Sequence, residues 1–143
     1  MIEIIKDPGH GNINENLARK VATETLGLIG RAGASLNVLF SGDDRIRKLN
    51  REFRDVDSAT DVMAFPSGEE GNFMGDVIIS VQTAKKHAED LGHSLDYEIA
   101  VLLVHGILHL IGYTDYDEEN RDEMFTTMDN ILNNLTCLRT RGR

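Results

Sequence analysis

The sequence predicts an α+β fold: a single domain with a small mixed four-stranded sheet and about five helices packed on it. Its 143 residues suit one domain with its own core, and no repeat, linker or low-complexity run divides them. Four short apolar or alternating stretches are typical of strands. Longer segments repeat apolar residues at the spacing of amphipathic helices.

The predicted strands are bounded by residues that form turns. The first strand ends before Pro8 and Gly9, and the third ends at Pro66. The segment EEGNF, residues 69–73, supplies the turn between the third strand and the fourth. The predicted strands cover residues 2–6, 35–40, 60–66 and 74–80.

Most of the predicted helices begin at a serine or end at a glycine. A serine side chain can accept a hydrogen bond from a backbone N–H of the first turn, and glycine can take the left-handed backbone that ends a helix. The capping serines are Ser41, Ser80 and Ser94, and the terminating glycines are Gly33, Gly92 and Gly112. The predicted helices cover about residues 14–30, 42–53, 81–91, 95–111 and 118–135. In the second helix, Ile46, Leu49 and Phe53 share one apolar face.

The composition, 41% hydrophobic and 27% charged, is ordinary for a soluble globular protein. The single cysteine, Cys137, excludes an intrachain disulfide, suits a reducing compartment and is expected to pack in the core. The N-terminus has no basic leader before a long apolar run, so no secretion signal is predicted. The longest mainly apolar segment, 99–111, is shorter than the about 20 residues that cross a bilayer. We expect a cytoplasmic protein without a membrane segment, ending in a flexible basic tail over 137–143.

The charge of the chain is unevenly distributed. A net charge of -9 argues against a general nucleic-acid binder, because phosphate binding depends on basic residues. Segment 45–54, RIRKLNREFR, nevertheless carries five of the fifteen basic residues, and segment 115–123, DYDEENRDE, carries six acidic ones. A basic stripe on an acidic body is therefore predicted.

Two histidines four residues apart in HGILHLIGYTD indicate a metal site. Residues i and i+4 of a helix share a face, so His105 and His109 can direct their imidazoles to one point. Gly112 allows a sharp turn after which Asp115 can reach the same point, and three protein ligands leave a coordination position open. Hydrogen bonds to other groups are the alternative way to satisfy two imidazoles on so apolar a helix.

This segment resembles the YbeY endoribonuclease family, whose motif reads H-G-x-L-H-L-x-G-Y-D-H. The resemblance extends through residues 49–66, 74–80 and 92–106, and covers most of 34–115 in the family's order. It implies a metal-dependent endoribonuclease that cuts single-stranded RNA in ribosomal RNA maturation. It also implies zinc as the cofactor and ribosomal RNA as the partner, with ribosomal proteins as further candidates.

The chain departs from the family motif at its end. The family's third histidine falls at Asp115, and Thr114 stands where the family has aspartate. Read without gaps, Asp115 is the third ligand, and two histidines with one carboxylate are an accepted zinc site. The carboxylate also favours harder metals such as iron or manganese. A one-residue insertion would instead leave Asp117, or no residue, as the third ligand.

Gly106 stands where the H-E-x-x-H helix of metallopeptidases has a catalytic glutamate. Zinc-bound water has a pKa near 7, so hydroxide is available without that base; a metal-polarised ribose hydroxyl is the alternative nucleophile.

A phosphodiester needs positive charge near its oxygens. Arg54, which matches an arginine that the resemblance marks as functional, is the predicted catalytic cation. Arg47 and Arg51 continue its stripe and are expected to be a solvated helix face.

The remaining titratable residues are expected to be structural. His87 is expected to be solvated, His93 to orient a loop, and His10 to lie in a loop. Asp61 and Asp76, each beside a strand, are expected to line the cleft or to bind backbone N–H groups.

Three other functions stay open at this point. A non-haem iron oxygenase uses the same ligand set of two histidines and one carboxylate. A ribosome-associated binding module would use its metal to organise the fold and its acidic face to contact a basic protein. A metallopeptidase is the weakest alternative, because the glutamate is missing.

Overall fold

A mixed four-stranded sheet lies at the centre of the computed structural model, which describes residues 1–10, 12–55, 60–68 and 71–139. The strands are β1 (Ile2–Lys6), β2 (Ser35–Ser41), β3 (Val62–Pro66) and β4 (Phe73–Ser80). The helices are α1 (Glu15–Leu28), α2 (Asp43–Arg54), α3 (Val81–Leu91), α4 (Leu95–Leu110), α5 (Glu118–Asn134) and α6 (Thr136–Arg139). The predicted α+β class, mixed sheet and five packed helices are confirmed, and the described residues add a sixth helix, α6, of four residues.

The strands follow the order β1-β2-β4-β3 across the sheet. β1, β2 and β4 run parallel, because helical segments such as α1 return the chain to the same end of the sheet. β3 pairs antiparallel with β4. Since β3 is an edge strand, Pro66 at its end interrupts no inner ladder. The same position places β3 beside the cleft described below.

Helix α4 is the core helix of the molecule. It packs against β3 and β4 on one side and against α1, α3 and α5 on others. A Cβ at Gly106 would lie 2.6 Å from Cγ1 of Val77 on β4, a distance that real Cβ atoms essentially never show. Glycine is therefore required where α4 crosses the sheet. Within the described residues no single helix is long and apolar enough to cross a bilayer. The pair α3 and α4 meets both criteria only when the two helices are taken together, and it is bent by 117° at the junction.

Local capping signals correctly predicted the start of two helices. The Ser80 and Ser94 hydroxyls each accept a hydrogen bond from a backbone N–H three residues later, at 3.1 Å. Gly92 adopts the left-handed backbone, at φ 73°, that ends α3 as predicted. These predictions are confirmed. They could be made from the sequence because a cap depends on residues that are close together in the chain.

Two boundary predictions were wrong. Ser41 does not cap α2: the helix has Gly42 at its N-cap, and the Ser41 hydroxyl donates instead to Asp7 Oδ2, 2.6 Å away. α1 ends at Leu28, before Gly33, and Gly30 with φ 78° follows its end. In the first case a distant carboxylate competes for the serine, which a local pattern does not reveal.

The C-terminal segment includes a short helix, α6, that the sequence did not predict. Its first residue, Thr136, donates from its backbone N–H and its hydroxyl to Glu24 Oε1 on α1, each at 2.8 Å. Cys137 packs on the core as expected, and burial raises the pKa of its thiol to about 11. The predicted tail thus begins within α6; residues 140–143 lie outside the described residues, and for them the flexible tail stays a prediction.

Candidate metal centre

Four chain segments enclose a cleft of about 620 Å³ beside β3. The last turn of α2 contributes Arg54, and the C-terminal half of α4 contributes His105 and His109. The loop after α4 contributes Asp115, and β3 with the residues before it lines the remaining side. The structure therefore brings all four predicted site residues to one cleft, while their roles stay predictions.

The two imidazoles meet on one face of α4, as the four-residue spacing predicts. Nε2 of His105 lies 2.8 Å from Nε2 of His109, and the ring centroids are 4.6 Å apart. Two ligands of one tetrahedral zinc ion stand about 3.3 Å apart, given Zn–N distances of about 2.0–2.1 Å. A small opening of the pair would therefore let both nitrogens bind one ion.

The turn after α4 holds His109 in the tautomer that binds metal. Gly112 has φ 104°, and the backbone N–H groups of Gly112 and Tyr113 donate to the His109 and Leu108 carbonyls, each at 3.1 Å. These are the paired bonds of a Schellman motif. They turn the Tyr113 carbonyl back onto α4, where Nδ1 of His109 donates to it at 2.9 Å. A proton on Nδ1 leaves the lone pair on Nε2, as a metal-binding imidazole requires.

His105 is held in its neutral form. Burial lowers the pKa of His105, and the neighbouring His109 lowers it further. The carboxylates of Asp61 and Asp115 act in the opposite direction without reversing the shift of this pKa. The neutral imidazole, which is the form that ligates metal, is therefore favoured.

Asp115 lies with the histidines, whereas the alternative ligand Asp117 has another role. One ligand atom each from His105, His109 and Asp115 lie within 4.8 Å of one another. Asp117 is the N-cap of α5: its carboxylate accepts from the Asn120 backbone N–H at 2.8 Å and from the Asn120 side-chain amide at 3.1 Å. Both oxygens of Asp117 are engaged there. The geometry thus favours Asp115 as the predicted third ligand.

The missing glutamate has a steric explanation. A side chain at Gly106 would meet Cγ1 of Val77 and Cγ2 of Val62, the latter 3.3 Å from an added Cβ. Position 106 therefore faces the sheet rather than the cleft. A glutamate there would be pressed against buried valines, so this fold has no place for the base that peptidase helices carry.

Arg54 is an exposed cation at the cleft. It is the last residue of α2, because Asp55 adopts the left-handed backbone at φ 56° and ends the helix. Within the described residues no hydrogen bond or ion pair engages its guanidinium. Arg45 on the same helix is different, since its guanidinium donates to Asp7 at 3.1 Å. The guanidinium of Arg54 is therefore free to bind an anion in the cleft.

A second histidine–carboxylate cluster lies at the N-terminal end of α4, and the sequence did not predict it. Glu98 is 4% exposed, and its Oε1 binds Nε2 of His93 at 2.6 Å. Nδ1 of His87 lies 3.8 Å from Glu98 and 3.7 Å from Asp61, and the side chain is 41% exposed, so His87 is partly solvated, as expected, and also faces two carboxylates. The signal was present: Glu98 lies two turns before His105 in an apolar helix, and a buried carboxylate needs a partner.

The two acids beside strands differ in their surroundings. Asp61 lines the cleft, as one of its two expected roles requires. Asp76 on β4 instead accepts a hydrogen bond from the Asn37 side-chain amide on β2, at 2.9 Å. Its partner is thus a side chain rather than the backbone N–H that the sequence suggested.

Comparison with known proteins identifies the family. The family model described as Endoribonuclease YbeY matches residues 7–136. Endoribonuclease YbeY of Acholeplasma laidlawii is 43% identical over 106 residues, which cover 73% of this chain and 77% of the relative. Endoribonuclease YbeY of Bacillus thuringiensis is 43% identical over 112 residues, covering 70% and 72%. The solution structure of TM1509 from Thermotoga maritima is similar at a TM-score of 0.64 and 29% identity, over 92% of this chain and 87% of that one. The chain therefore belongs to the endoribonuclease YbeY family.

Proposed function

We propose that this member of the endoribonuclease YbeY family, a metal-dependent nuclease of ribosomal RNA maturation, cleaves single-stranded RNA in the cleft beside β3. His105, His109 and Asp115 hold one divalent ion. Arg54 binds the phosphate. The observation that carries this proposal is that three convergent ligand atoms and an exposed arginine line the same cleft.

The donor set fits one transition-metal ion. Two imidazole nitrogens and one carboxylate oxygen are a common ligand set of catalytic zinc, and they leave a position open. Zinc is the proposed ion, although the carboxylate also suits harder ions such as manganese or iron. When bound, such an ion supplies Lewis acidity: it lowers the pKa of a coordinated water and withdraws charge from a phosphate oxygen.

Arg54 supplies fixed positive charge where the substrate is negative. Its planar guanidinium can donate two parallel N–H groups to the oxygens of one phosphate. A cation fixed beside a partly enclosed site stabilises the charge that builds on those oxygens better than water does. Because the whole chain carries a net charge of -9, RNA binding depends on such local cations rather than on the overall field.

Membership of an endoribonuclease family argues against the oxygenase and peptidase alternatives. The close packing at Gly106 argues against the peptidase a second time, on steric grounds. A cytoplasmic location, ribosomal RNA as the substrate and ribosomal proteins as partners remain parts of the proposal. The acidic start of α5 is the surface on which a basic protein partner would be sought.

The proposal is tested by initial rates of cleavage of an unstructured RNA oligonucleotide. We expect chelation to abolish cleavage and added zinc to restore it. Arg54→Ala should lower kcat by about 100-fold or more, in line with the loss of one donor to a transition-state oxyanion, and Arg54→Lys should restore part of that loss. The matched control is Lys48→Ala, which removes an exposed cation of the same helix outside the cleft.

Two results would overturn this assignment. The first is cleavage that survives chelation at the wild-type rate. The second is an Arg54→Ala variant that cleaves as well as Lys48→Ala does.

A further inference from the structure

Aromatic residues are concentrated at the cleft. The chain has five phenylalanines, three tyrosines and no tryptophan, and all eight positions lie within the described residues. Half of them line this one cleft: Phe53, Phe65, Tyr113 and Tyr116. Two of these four are also the most exposed aromatic residues of the chain, Phe53 at 66% and Tyr116 at 83%. Rings left in water forgo hydrophobic stabilisation, so two of them at one cleft call for an explanation.

Phe53 is a fixed platform rather than a loose side chain. Its ring packs edge-to-face on Phe65 of β3, with centroids 5.5 Å apart and planes inclined by 68°. It precedes Arg54 directly in the last turn of α2, and both side chains line the cleft. An aromatic surface and a phosphate-binding cation thus stand on consecutive residues.

Tyr116 belongs to a second element of the cleft. It follows Asp115 of the ligand cluster and precedes Asp117, the N-cap of α5. The side chain itself remains exposed at the cleft. Phe53 and Tyr116 therefore present rings from α2 and from the loop after α4, respectively.

We propose that Phe53 and Tyr116 stack against unpaired nucleobases that flank the cleaved phosphate, and so select single-stranded RNA. This inference rests on the proposed function. Aromatic rings bind unpaired bases without regard to sequence, and the bases of a duplex are already stacked and paired. An RNA occupant is favoured over a protein because Arg54 adjoins one ring and the ligand cluster adjoins the other.

The test compares an unstructured RNA oligonucleotide with versions that carry one abasic nucleotide at successive positions around the cleavage site. For the wild-type protein we expect an abasic nucleotide at a stacking position to lower kcat/KM about tenfold or more. Phe53→Leu and Tyr116→Leu should each lower kcat/KM on the intact RNA by a similar factor. Each variant should also become insensitive to the abasic nucleotide at one position, a loss of coupling that a merely structural role would not produce.

Two further variants complete the set. Phe53→Trp keeps a π surface and should restore cleavage and the sensitivity to the abasic nucleotide. Phe125→Leu removes an exposed ring of α5 outside the cleft and should change neither. Equilibrium binding of the same oligonucleotides, followed by fluorescence anisotropy, reports stacking independently of cleavage.

The outcomes separate this inference from the function on which it rests. Leucine variants that cleave and bind like the wild type, or that stay sensitive to abasic nucleotides at every position, overturn the stacking proposal. A wild-type protein that shows base-dependent binding but no metal-dependent cleavage overturns the proposed function and leaves the stacking supported.

Discussion

Histidines and carboxylates meet at both ends of helix α4, but the two clusters are arranged differently. At the N-terminal end, the Glu98 carboxylate is buried and binds His93 at 2.6 Å. At the C-terminal end, the Nε2 atoms of His105 and His109 lie 2.8 Å apart beside a cleft of about 620 Å³. The carboxylate near them, Asp115, comes from a loop and lies within 4.8 Å of both.

The comparison shows that residue type alone does not distinguish a structural cluster from a site. At the N-terminal end of α4 the Glu98 carboxylate already binds the His93 imidazole, so the pair stabilises the fold and offers no shared point to an ion. At the C-terminal end of α4 the donor atoms of His105, His109 and Asp115 converge on one point beside the cleft. Convergence and access, rather than the presence of histidine and carboxylate, mark the candidate metal centre.

The largest expected effect comes from introducing the peptidase glutamate between the two ends. In Gly106→Glu the added Cβ meets Val77 at 2.6 Å and a carboxylate is buried against valines, so the free energy of unfolding should fall by about 3 kcal/mol or more. Urea denaturation measures it. The matched control is Gly27→Glu on α1, where an added Cβ meets nothing within 4 Å. A Gly106→Glu protein as stable as this control, or one that hydrolyses peptides, would show that position 106 faces the cleft after all.

The next effect separates the two clusters by removing one histidine from each. His109→Ala should lose bound zinc and more than about 100-fold in cleavage rate, because a side chain that binds the ion directly matters at least as much as the groups that orient it. His93→Ala should keep zinc but lose about 1–3 kcal/mol of unfolding free energy, since the buried Glu98 carboxylate loses a partner. Metal analysis after dialysis and urea denaturation in chelator measure the two losses. If both variants lost zinc and unfolding free energy to the same extent, the proposed difference between the two ends of α4 would be contradicted.

The smallest effect distinguishes two neighbouring carboxylates. Asp117→Ala should lower the free energy of unfolding by about 1 kcal/mol through loss of the α5 cap, and leave zinc affinity unchanged. Asp115→Ala should do the reverse, weakening zinc binding in calorimetric titrations with little change in the stability of the metal-free protein. If Asp117→Ala weakened zinc binding instead, the gapless alignment that makes Asp115 the ligand would be incorrect.

Most of the fold was predictable because its signals are local. Within the described part of the chain, apolar patterns located the four strands and five of the six helices, and Ser80, Ser94 and Gly92 marked boundaries through neighbours a few residues away. Contacts between distant segments were not predictable. The hydroxyl of Ser41 is taken by Asp7, and α6 is held by Glu24, more than a hundred residues earlier in the chain.

The candidate site was predictable in part for the same reason. The spacing of His105 and His109 on one helix dictates that their imidazoles meet, and the turn at Gly112 returns the chain towards them. The aromatic lining of the cleft was not predicted. Periodicity assigned Phe53 to the apolar face of α2, but only the packed structure shows that this ring lies at the cleft with 66% of its surface exposed.

The most direct test of the central claim is a crystal structure of the protein grown with zinc, measured by anomalous scattering at the zinc absorption edge. The account predicts one peak, about 2.0–2.2 Å from Nε2 of His105, Nε2 of His109 and a carboxylate oxygen of Asp115. A peak bound by Asp117, a peak at the Glu98 end of α4, or no peak beside the two imidazoles would contradict it.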